Sequence, residues 1–224
     1  MNEADQTSLL EDSSKPATML ARINSICVKA LFPFVATEDV RLYLCGINLR
    51  PLDEGGVMIT ATNGHMIGCM RDPEGYAEKE LIVSVNKDGM KHCQIKHTFD
   101  VMSNGAVMVS DEHANPLFLQ PGNSLMYEGD GNPYPRIEKV ATLNGYNEGL
   151  RATLNPQYLE AALKFGKHFG AIRFFSASQD AGKPVMFTLS AIGELEAFGA
   201  IMPMAEGVST LPTWLPKPDF STLD

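Results

Sequence analysis

Histidines, cysteines and paired carboxylates are the side chains of this sequence with the best prospects for chemistry. His92, Cys93 and His97 lie close together, as ligands of a transition metal do. Their spacing matches no standard zinc set and no further ligand is evident, so metal binding is the weaker interpretation. Glu194 and Glu196 share one face of a predicted strand, where carboxylates are usually only solvated. Because no phosphate loop, nucleophile elbow or HExxH helix occurs, we expect no enzyme, no metal site and no cofactor.

His65 follows an Asn-Gly pair in the stretch TATNGHMIG, residues 60–68. Such a pair between two apolar runs predicts a tight hairpin turn, since both residues accept a positive φ. The histidine has two interpretations: a partly buried side chain satisfied by a backbone partner, or the wall of a binding surface. Met66 and Ile67 favour the wall, because flexible methionine-rich surfaces accommodate partner peptides.

The elements that must position these residues are mostly strands. Amphipathic periodicity predicts a helix over 15–32, and Asn155 followed by Pro156 predicts the start of a second helix over 153–170. In that second helix, Leu159, Leu163 and Gly166 are expected on the apolar face. Alternation and turn residues predict strands or hairpins at 39–51, 56–71, 81–86, 99–110, 117–129, 172–179, 185–192 and 194–204. Helices that each pack on an antiparallel sheet indicate an α+β fold.

Basic residues concentrate on the predicted helices. Those expected on a common surface are Lys15, Arg22 and Lys29 at seven-residue spacing, Lys87 and Lys91 in the middle of the chain, and Lys164, Lys167 and His168 on the later helix. One interpretation is that helices simply need solvated faces. The other is that these cations face nucleic-acid phosphates without reading bases, on a body whose net charge is −9.

Composition indicates a soluble protein of the cytoplasm. No apolar run approaches the 18 or so residues of a membrane helix, and the N-terminus is acidic and polar rather than basic and then apolar. The four cysteines form no CxxC pair, which favours free, buried thiols in a reducing compartment.

Several stretches together resemble a known family, the bacterial DNA polymerase III beta subunit or sliding clamp. YLCGINL (43–49) followed by ITATNGHMIG (59–68) is similar to a paired motif in that family's second domain. PATMLARI (16–23) resembles the start of the same domain's first helix, and YPRIEKV (134–140) resembles the connector to the last domain. IMPM (201–204) is similar to the motif with which clamp chains nearly end.

The resemblance implies a DNA clamp (processivity) fold, with helices on the inner face of antiparallel sheets. It implies a rim cleft that receives short linear motifs of DNA polymerase, clamp-loader and repair proteins, and sequence-independent contact with duplex DNA. Carried over by position, the cleft walls are Leu44, Thr62, Gly64, His65, Met66, Ile67, Pro135, Lys139, Val140, Met202, Pro203 and Met204. Under this interpretation His65 is a wall and not a catalyst.

The sequence departs from the family pattern in two motif residues and in its length, which affects the expected domain organisation. Asn63 and Met66 replace the family's Asp and Arg, and the chain has the length of about one and a half clamp domains. We expect an acidic tail over 1–14, a clamp-like domain over 15–145, a half domain over 146–206 and a proline-rich tail over 207–224. Two functions stay open: a clamp-like homo-oligomeric ring that encircles DNA and binds replication proteins, or an adaptor or decoy that binds those proteins without encircling DNA.

Overall fold

A computed structural model describes residues 16–129, 131, 133–139, 146–149, 152–177, 182–191 and 193–204. The helices are α1 (Ser25–Leu31), α2 (Lys87–Met90) and α3 (Pro156–Gly166), with 3₁₀ turns at Phe32–Phe34, Leu42–Cys45 and Ile137–Lys139. The strands are β1 (Met19–Asn24), β2 (Gly46–Pro51), β3 (Val57–Thr62), β4 (Met66–Asp72), β5 (Tyr76–Ala77), β6 (Leu81–Ser84), β7 (Thr98–Met102), β8 (Val107–Ser110), β9 (Pro116–Gln120), β10 (Leu125–Glu128), β11 (Tyr146–Glu148), β12 (Ile172–Ala177), β13 (Val185–Leu189) and β14 (Glu196–Ile201).

The strands form two antiparallel sheets. The five-stranded sheet has the order β5-β1-β7-β8-β9, and the nine-stranded sheet has the order β10-β6-β2-β3-β4-β14-β13-β12-β11. Strand β14 pairs with β4 from Glu196 opposite Arg71 to Ile201 opposite Met66. This pairing joins strands far apart in the chain into one continuous sheet.

The main hydrophobic core is formed by α1, α3 and strands of both sheets. Its centre is aromatic: Phe34 contacts Phe165 at 5.2 Å between ring centroids, edge to face, and Phe187 at 6.3 Å. All three rings are fully buried. They come from the turn after α1, from α3 and from β13, so the two parts of the chain share one core.

The predicted helix over 15–32 is wrong in its first half. Residues 19–24 form strand β1, which pairs with β7 through Arg22 opposite Asp100 and Ile23 opposite Phe99. Strand pairing with a distant segment outweighs a helical periodicity that is only a local preference. The helix begins at Ser25, where the Asn24 side chain accepts a hydrogen bond from the Ile26 N–H as an N-cap.

Two strand predictions also need correction. Residues 117–129 do not form a hairpin, because β9 pairs with β8 in the smaller sheet while β10 pairs with β6 in the larger one. The connection crosses between sheets through Gly122 and Asn123, which both have positive φ. The predicted strand over 39–51 begins only at Gly46, after a 3₁₀ turn.

Other predictions are confirmed. The hairpin around Asn63 consists of β3 and β4, and Gly64 has φ +87° as its turn requires. The hairpin around Gly105 consists of β7 and β8. Asn155 caps α3 by accepting a hydrogen bond from the Gln157 N–H at 2.9 Å, with Pro156 following it.

The buried face of α3 is different from the predicted one. Ala161, Ala162 and Phe165 are its buried residues, whereas the Leu163 side chain is 52% exposed. Ala161 and Phe165 are four residues apart and therefore share a face that includes Ala162 but not Leu163. The face that carries Phe165 is buried because its ring packs against Phe34 and Phe187.

The four cysteines are free, as expected. Cys27, Cys69 and Cys93 are buried and Cys45 is half-buried. Burial raises the pKa of the Cys93 thiol to about 11, so it remains protonated and unreactive at neutral pH. In the described part of the chain, no helix is long and apolar enough to cross a membrane.

Candidate peptide-binding cleft and cationic surface

The turn that carries His65 is held rigidly by side chains of the hairpin itself. The Asn63 Oδ1 accepts hydrogen bonds from the His65 and Met66 N–H groups at 3.0 and 3.1 Å. The Thr62 hydroxyl donates to the Met66 carbonyl at 2.7 Å and accepts from the Gly64 N–H at 3.1 Å. These bonds satisfy the turn locally and hold the histidine outside the core.

His65 is exposed and lies against another element. Its ring stacks on Tyr158 of α3, with centroids 5.6 Å apart and planes 12° apart. Its carbonyl accepts a hydrogen bond from the Met202 N–H at 2.8 Å. Among the described residues, the ring contact of His65 is therefore with an aromatic side chain and not with an acid, base or nucleophile.

A cavity of about 230 Å³ opens beside His65 where β4 and β14 meet. Seven of the twelve proposed cleft residues line it, namely Thr62, Gly64, His65, Met66, Ile67, Pro135 and Met202. They come from the hairpin, the segment before the last 3₁₀ turn and the end of β14. The structure therefore brings residues more than a hundred positions apart to one apolar opening.

The other proposed wall residues lie elsewhere. Leu44 is fully buried beneath the surface and does not reach the cavity. Lys139, Pro203 and Met204 are also absent from its lining, although Met204 is 48% exposed close by in sequence. Val140 lies outside the described residues.

Four lining residues were not predicted from the sequence: Arg41, Arg136, Pro184 and Ala200. Ala200 could have been predicted if the pairing of β14 with β4 had been recognised, because it lies opposite Ile67 in that pairing. No sequence pattern predicts the two arginines, since their positions depend on ion pairs. Arg41 binds Asp39 through two nitrogens, at 3.0 and 2.9 Å, and Arg136 binds Glu80 at 3.0 Å.

The floor of the cleft is a small apolar cluster. Ile67 and Ala200 pack with Met186 and with Ile137 of the 3₁₀ turn. Glu138 of that turn forms an ion pair with Arg50 of β2, which lowers the pKa of the carboxyl below its usual range. The turn is thus anchored on both sides and fixes Pro135 at the edge of the cavity.

The proposed cations do not share one helical face. Arg22 lies on β1 in the five-stranded sheet, where it binds buried Asp100 through two nitrogens at 2.7 and 2.8 Å. The charge of Arg22 is therefore largely neutralised by a carboxylate that is itself only 1% exposed. Lys15 lies outside the described residues. The seven-residue stripe predicted for one helix is accordingly wrong.

Three of the proposed cations do lie near one another. The Lys29 Nζ of α1 donates to the Cys93 carbonyl at 2.9 Å. Partial burial lowers the pKa of His168 below its usual value, and the positive charges of Lys29 and Lys167 lower it further. Helices α1 and α3 are in contact, so Lys29 and Lys167 form a cationic cluster beside His168, whose imidazole is uncharged at neutral pH.

The remaining cations are exposed and mostly paired with acids on the same helix. Lys91 binds Asp88 at 2.6 Å and Lys164 binds Glu160 at 2.8 Å. Lys87 is exposed at the start of α2. Exposed pairs of this kind contribute little to stability and are screened by salt.

The grouping His92, Cys93 and His97 has a structural role. The His97 Nδ1 lies 2.8 Å from the His92 carbonyl oxygen, and the His92 ring stacks on Phe118 at 5.9 Å. The buried Cys93 thiol donates to the Gly89 carbonyl. Within the described ranges, no group of three His, Cys, Asp or Glu side chains is placed to hold a metal ion. Glu194 and Glu196 are exposed.

Solved structures with a similar backbone fold are bacterial sliding clamps. The Helicobacter pylori beta clamp in complex with diflunisal superposes with a TM-score of 0.58 over 87% of this chain and 70% of that chain, at 12% identity. The fold is that of a sliding clamp. The DNA polymerase III beta subunit of Pseudomonas aeruginosa bound to griselimycin matches at a TM-score of 0.56 and 16% identity, covering 86% of this chain and 67% of that one.

The beta subunit of Streptococcus pyogenes DNA polymerase gives a TM-score of 0.56 at 14% identity, over 86% of this chain and 67% of that one. No family model and no curated protein matches the sequence. The likeness to clamps that these comparisons show is therefore a likeness of backbone fold.

Proposed function

We propose that this protein is a non-enzymatic sliding-clamp-like factor of the cytoplasm that holds replication or repair proteins by short peptides in the cleft beside His65. The proposal includes a homo-oligomeric ring around duplex DNA, with the sheets outside and the helices of the cationic cluster inside. Its partners are DNA polymerase, clamp-loader or repair proteins, and it requires no cofactor.

One observation carries the proposal: the β4–β14 pairing assembles an apolar, methionine-lined opening on a clamp fold. Its walls are Met66, Ile67, Ala200 and Met202, with the stacked His65 ring at one side. Methionine side chains adapt to different apolar partners, which suits a cleft that must accept several peptides. Two arginines at the cleft can meet backbone carbonyls or acidic side chains of such a peptide.

The cleft is tested by removing two of its walls together. We expect the double variant His65→Ala, Met202→Ala to weaken a fluorescein-labelled clamp-binding peptide of a bacterial replicative polymerase at least tenfold, about 1.4 kcal/mol, because buried anchor contacts dominate peptide affinity. Fluorescence polarisation measures the affinity. Met202 is chosen rather than Met204 because only Met202 lines the cavity.

Leu119→Ala is the matched control for this experiment. Leu119 is 61% exposed on β9 of the other sheet, so its truncation is expected to leave peptide affinity unchanged. Equal affinity of the double variant and the native protein would rule out the cavity beside His65 as the peptide site.

Contact with duplex DNA is tested by salt dependence. Phosphate contacts release counterions, so duplex affinity should fall steeply as salt rises, and each lost contact lowers the slope of log affinity against log salt by about 0.9. We expect the variant Lys29→Gln, Lys167→Gln to reduce that slope by about 2. Lys79→Gln serves as control, because Lys79 forms an ion pair with Glu128 away from the cationic cluster. An unchanged slope in the double variant would contradict the proposed DNA-facing surface.

The adaptor or decoy function is the second candidate, and the cation geometry favours it. Arg22, Lys91 and Lys164 are each paired with an acid, which leaves a smaller positive surface than the sequence indicates. Mass measurement in solution, with and without duplex, separates the two functions. A homo-oligomer that retains duplex supports the ring, and a monomer that binds peptide but not duplex supports the adaptor.

A further inference from the structure

We infer that the chain carries its own competitor for the cleft: the C-terminal segment, residues 205–224, places Trp214 in the cavity beside His65. The inference rests on the proposed function, because it concerns the same cleft, and it adds a regulatory occupant. Partner peptides would then have to displace an intramolecular ligand before they bind.

Position is the first argument. The described chain leaves the cleft at Met202, which lines the cavity, and two residues later the Met204 N–H donates to the Thr153 carbonyl at 2.9 Å. Nine residues separate Met204 from Trp214, a span of about 30 Å when extended. Trp214 can therefore reach back to an opening that begins two residues before the described chain ends. A short tether of this kind gives an effective concentration in the millimolar range.

Chemistry is the second argument. The cavity of about 230 Å³ is apolar on four sides, through Met66, Ile67, Ala200 and Met202, and holds one large side chain rather than a folded partner. Trp214 is the only tryptophan of the chain and stands in the apolar run TLPTWLP. Tryptophan is enriched among the residues that anchor binding partners in buried pockets. Prolines on either side reduce the conformational entropy lost when the segment docks.

The charges of the cleft and of the C-terminal segment are complementary. Arg41 and Arg136 line the cleft, and the C-terminal segment carries Glu206, Asp219 and Asp224 against Lys217. A net acidic segment beside two arginines is electrostatically favoured, even though each arginine also contacts its own carboxylate.

The uniqueness of Trp214 makes the test direct, because all tryptophan emission of the full chain comes from it. We expect native emission at a shorter wavelength than that of Met202→Glu, which puts a charge into the cavity at a residue that is already 41% exposed. Leu119→Glu, on the other sheet, should emit as the native protein does. Emission should not change on dilution, since the segment docks in its own cleft.

Identical emission from all three proteins would overturn the inference. Emission that moves to longer wavelength on dilution would also overturn it, because Trp214 would then occupy a neighbouring copy.

Peptide affinity provides the second readout. A docked population of about 90% weakens a competing peptide about tenfold, so the full-length variant Trp214→Ser should bind the labelled polymerase peptide about tenfold more tightly than the native protein. Equal affinities would overturn the inference and leave the proposed cleft intact. Absence of peptide binding by both proteins would overturn the proposed function, while the emission comparison would still decide whether Trp214 docks.

Discussion

Replacing Phe165 with alanine is expected to lower the free energy of unfolding by about 4 kcal/mol, the largest effect among the substitutions considered. The Phe165 ring is fully buried and lies edge to face against Phe34 at 5.2 Å, Phe169 at 5.4 Å and Phe187 at 6.2 Å. Removing it leaves a cavity lined by rings that cannot all move inward. Urea denaturation followed by circular dichroism measures the change.

Leu163→Ala is the control for Phe165→Ala. Leu163 lies on the same helix two residues earlier, and its side chain is 52% exposed. We expect a change within about 0.5 kcal/mol. If Leu163→Ala proves the more costly of the two, α3 packs through the face predicted from sequence rather than the one described above.

Replacing Gly199 with alanine is expected to cost about 3 kcal/mol, because the junction of the two sheet halves has no room for a side chain. A Cβ at this position would overlap the Phe187 ring and would lie 2.6 Å from the Ile67 carbonyl oxygen. Gly199 stands opposite Gly68 in the β4–β14 register, and a Cβ on Gly68 would lie 2.8 Å from a methyl group of Leu31. Denaturation again gives the stability.

The same substitution should also weaken peptide binding, since Ile67 and Ala200 on these two strands form the cleft floor. Gly170→Ala is the matched control: a Cβ there meets no atom within 4 Å and its φ lies outside the glycine-favouring region. We expect Gly170→Ala to leave both stability and peptide affinity unchanged. Equal stability of the two alanine variants would contradict the close packing of the β4–β14 junction.

Turns and helix caps could be predicted from the sequence, because each is formed by residues within one short segment. The Asn63-Gly64 hairpin and the Asn155 N-cap are examples, because turn and cap residues satisfy backbone groups within a few positions. The clamp fold was reached differently, through the resemblance of motifs around residues 43–68 and 201–204 to a known family, and of these motifs only residues such as Thr62, His65 and Met202 line the cleft.

Three predictions failed where a distant segment competed with local periodicity. Residues 19–24 satisfy a helical pattern, yet β7 offers them a row of hydrogen bonds and Asp100 offers Arg22 a carboxylate. Residues 117–129 satisfy a hairpin pattern, yet β8 and β6 take the two strands into different sheets. In α3 the rings of Phe34 and Phe187 select Phe165 as the buried residue.

By itself the sequence determined the turns, the helix cap, most strands and the family resemblance, because each depends on neighbouring residues and their backbone preferences. Only the tertiary structure decided which residues face the cleft and which cations cluster. The cavity exists because β14 pairs with β4, and the cluster of Lys29 and Lys167 exists because α1 packs against α3. Both are contacts between segments more than a hundred residues apart, and their free energy depends on the packed core rather than on any local pattern.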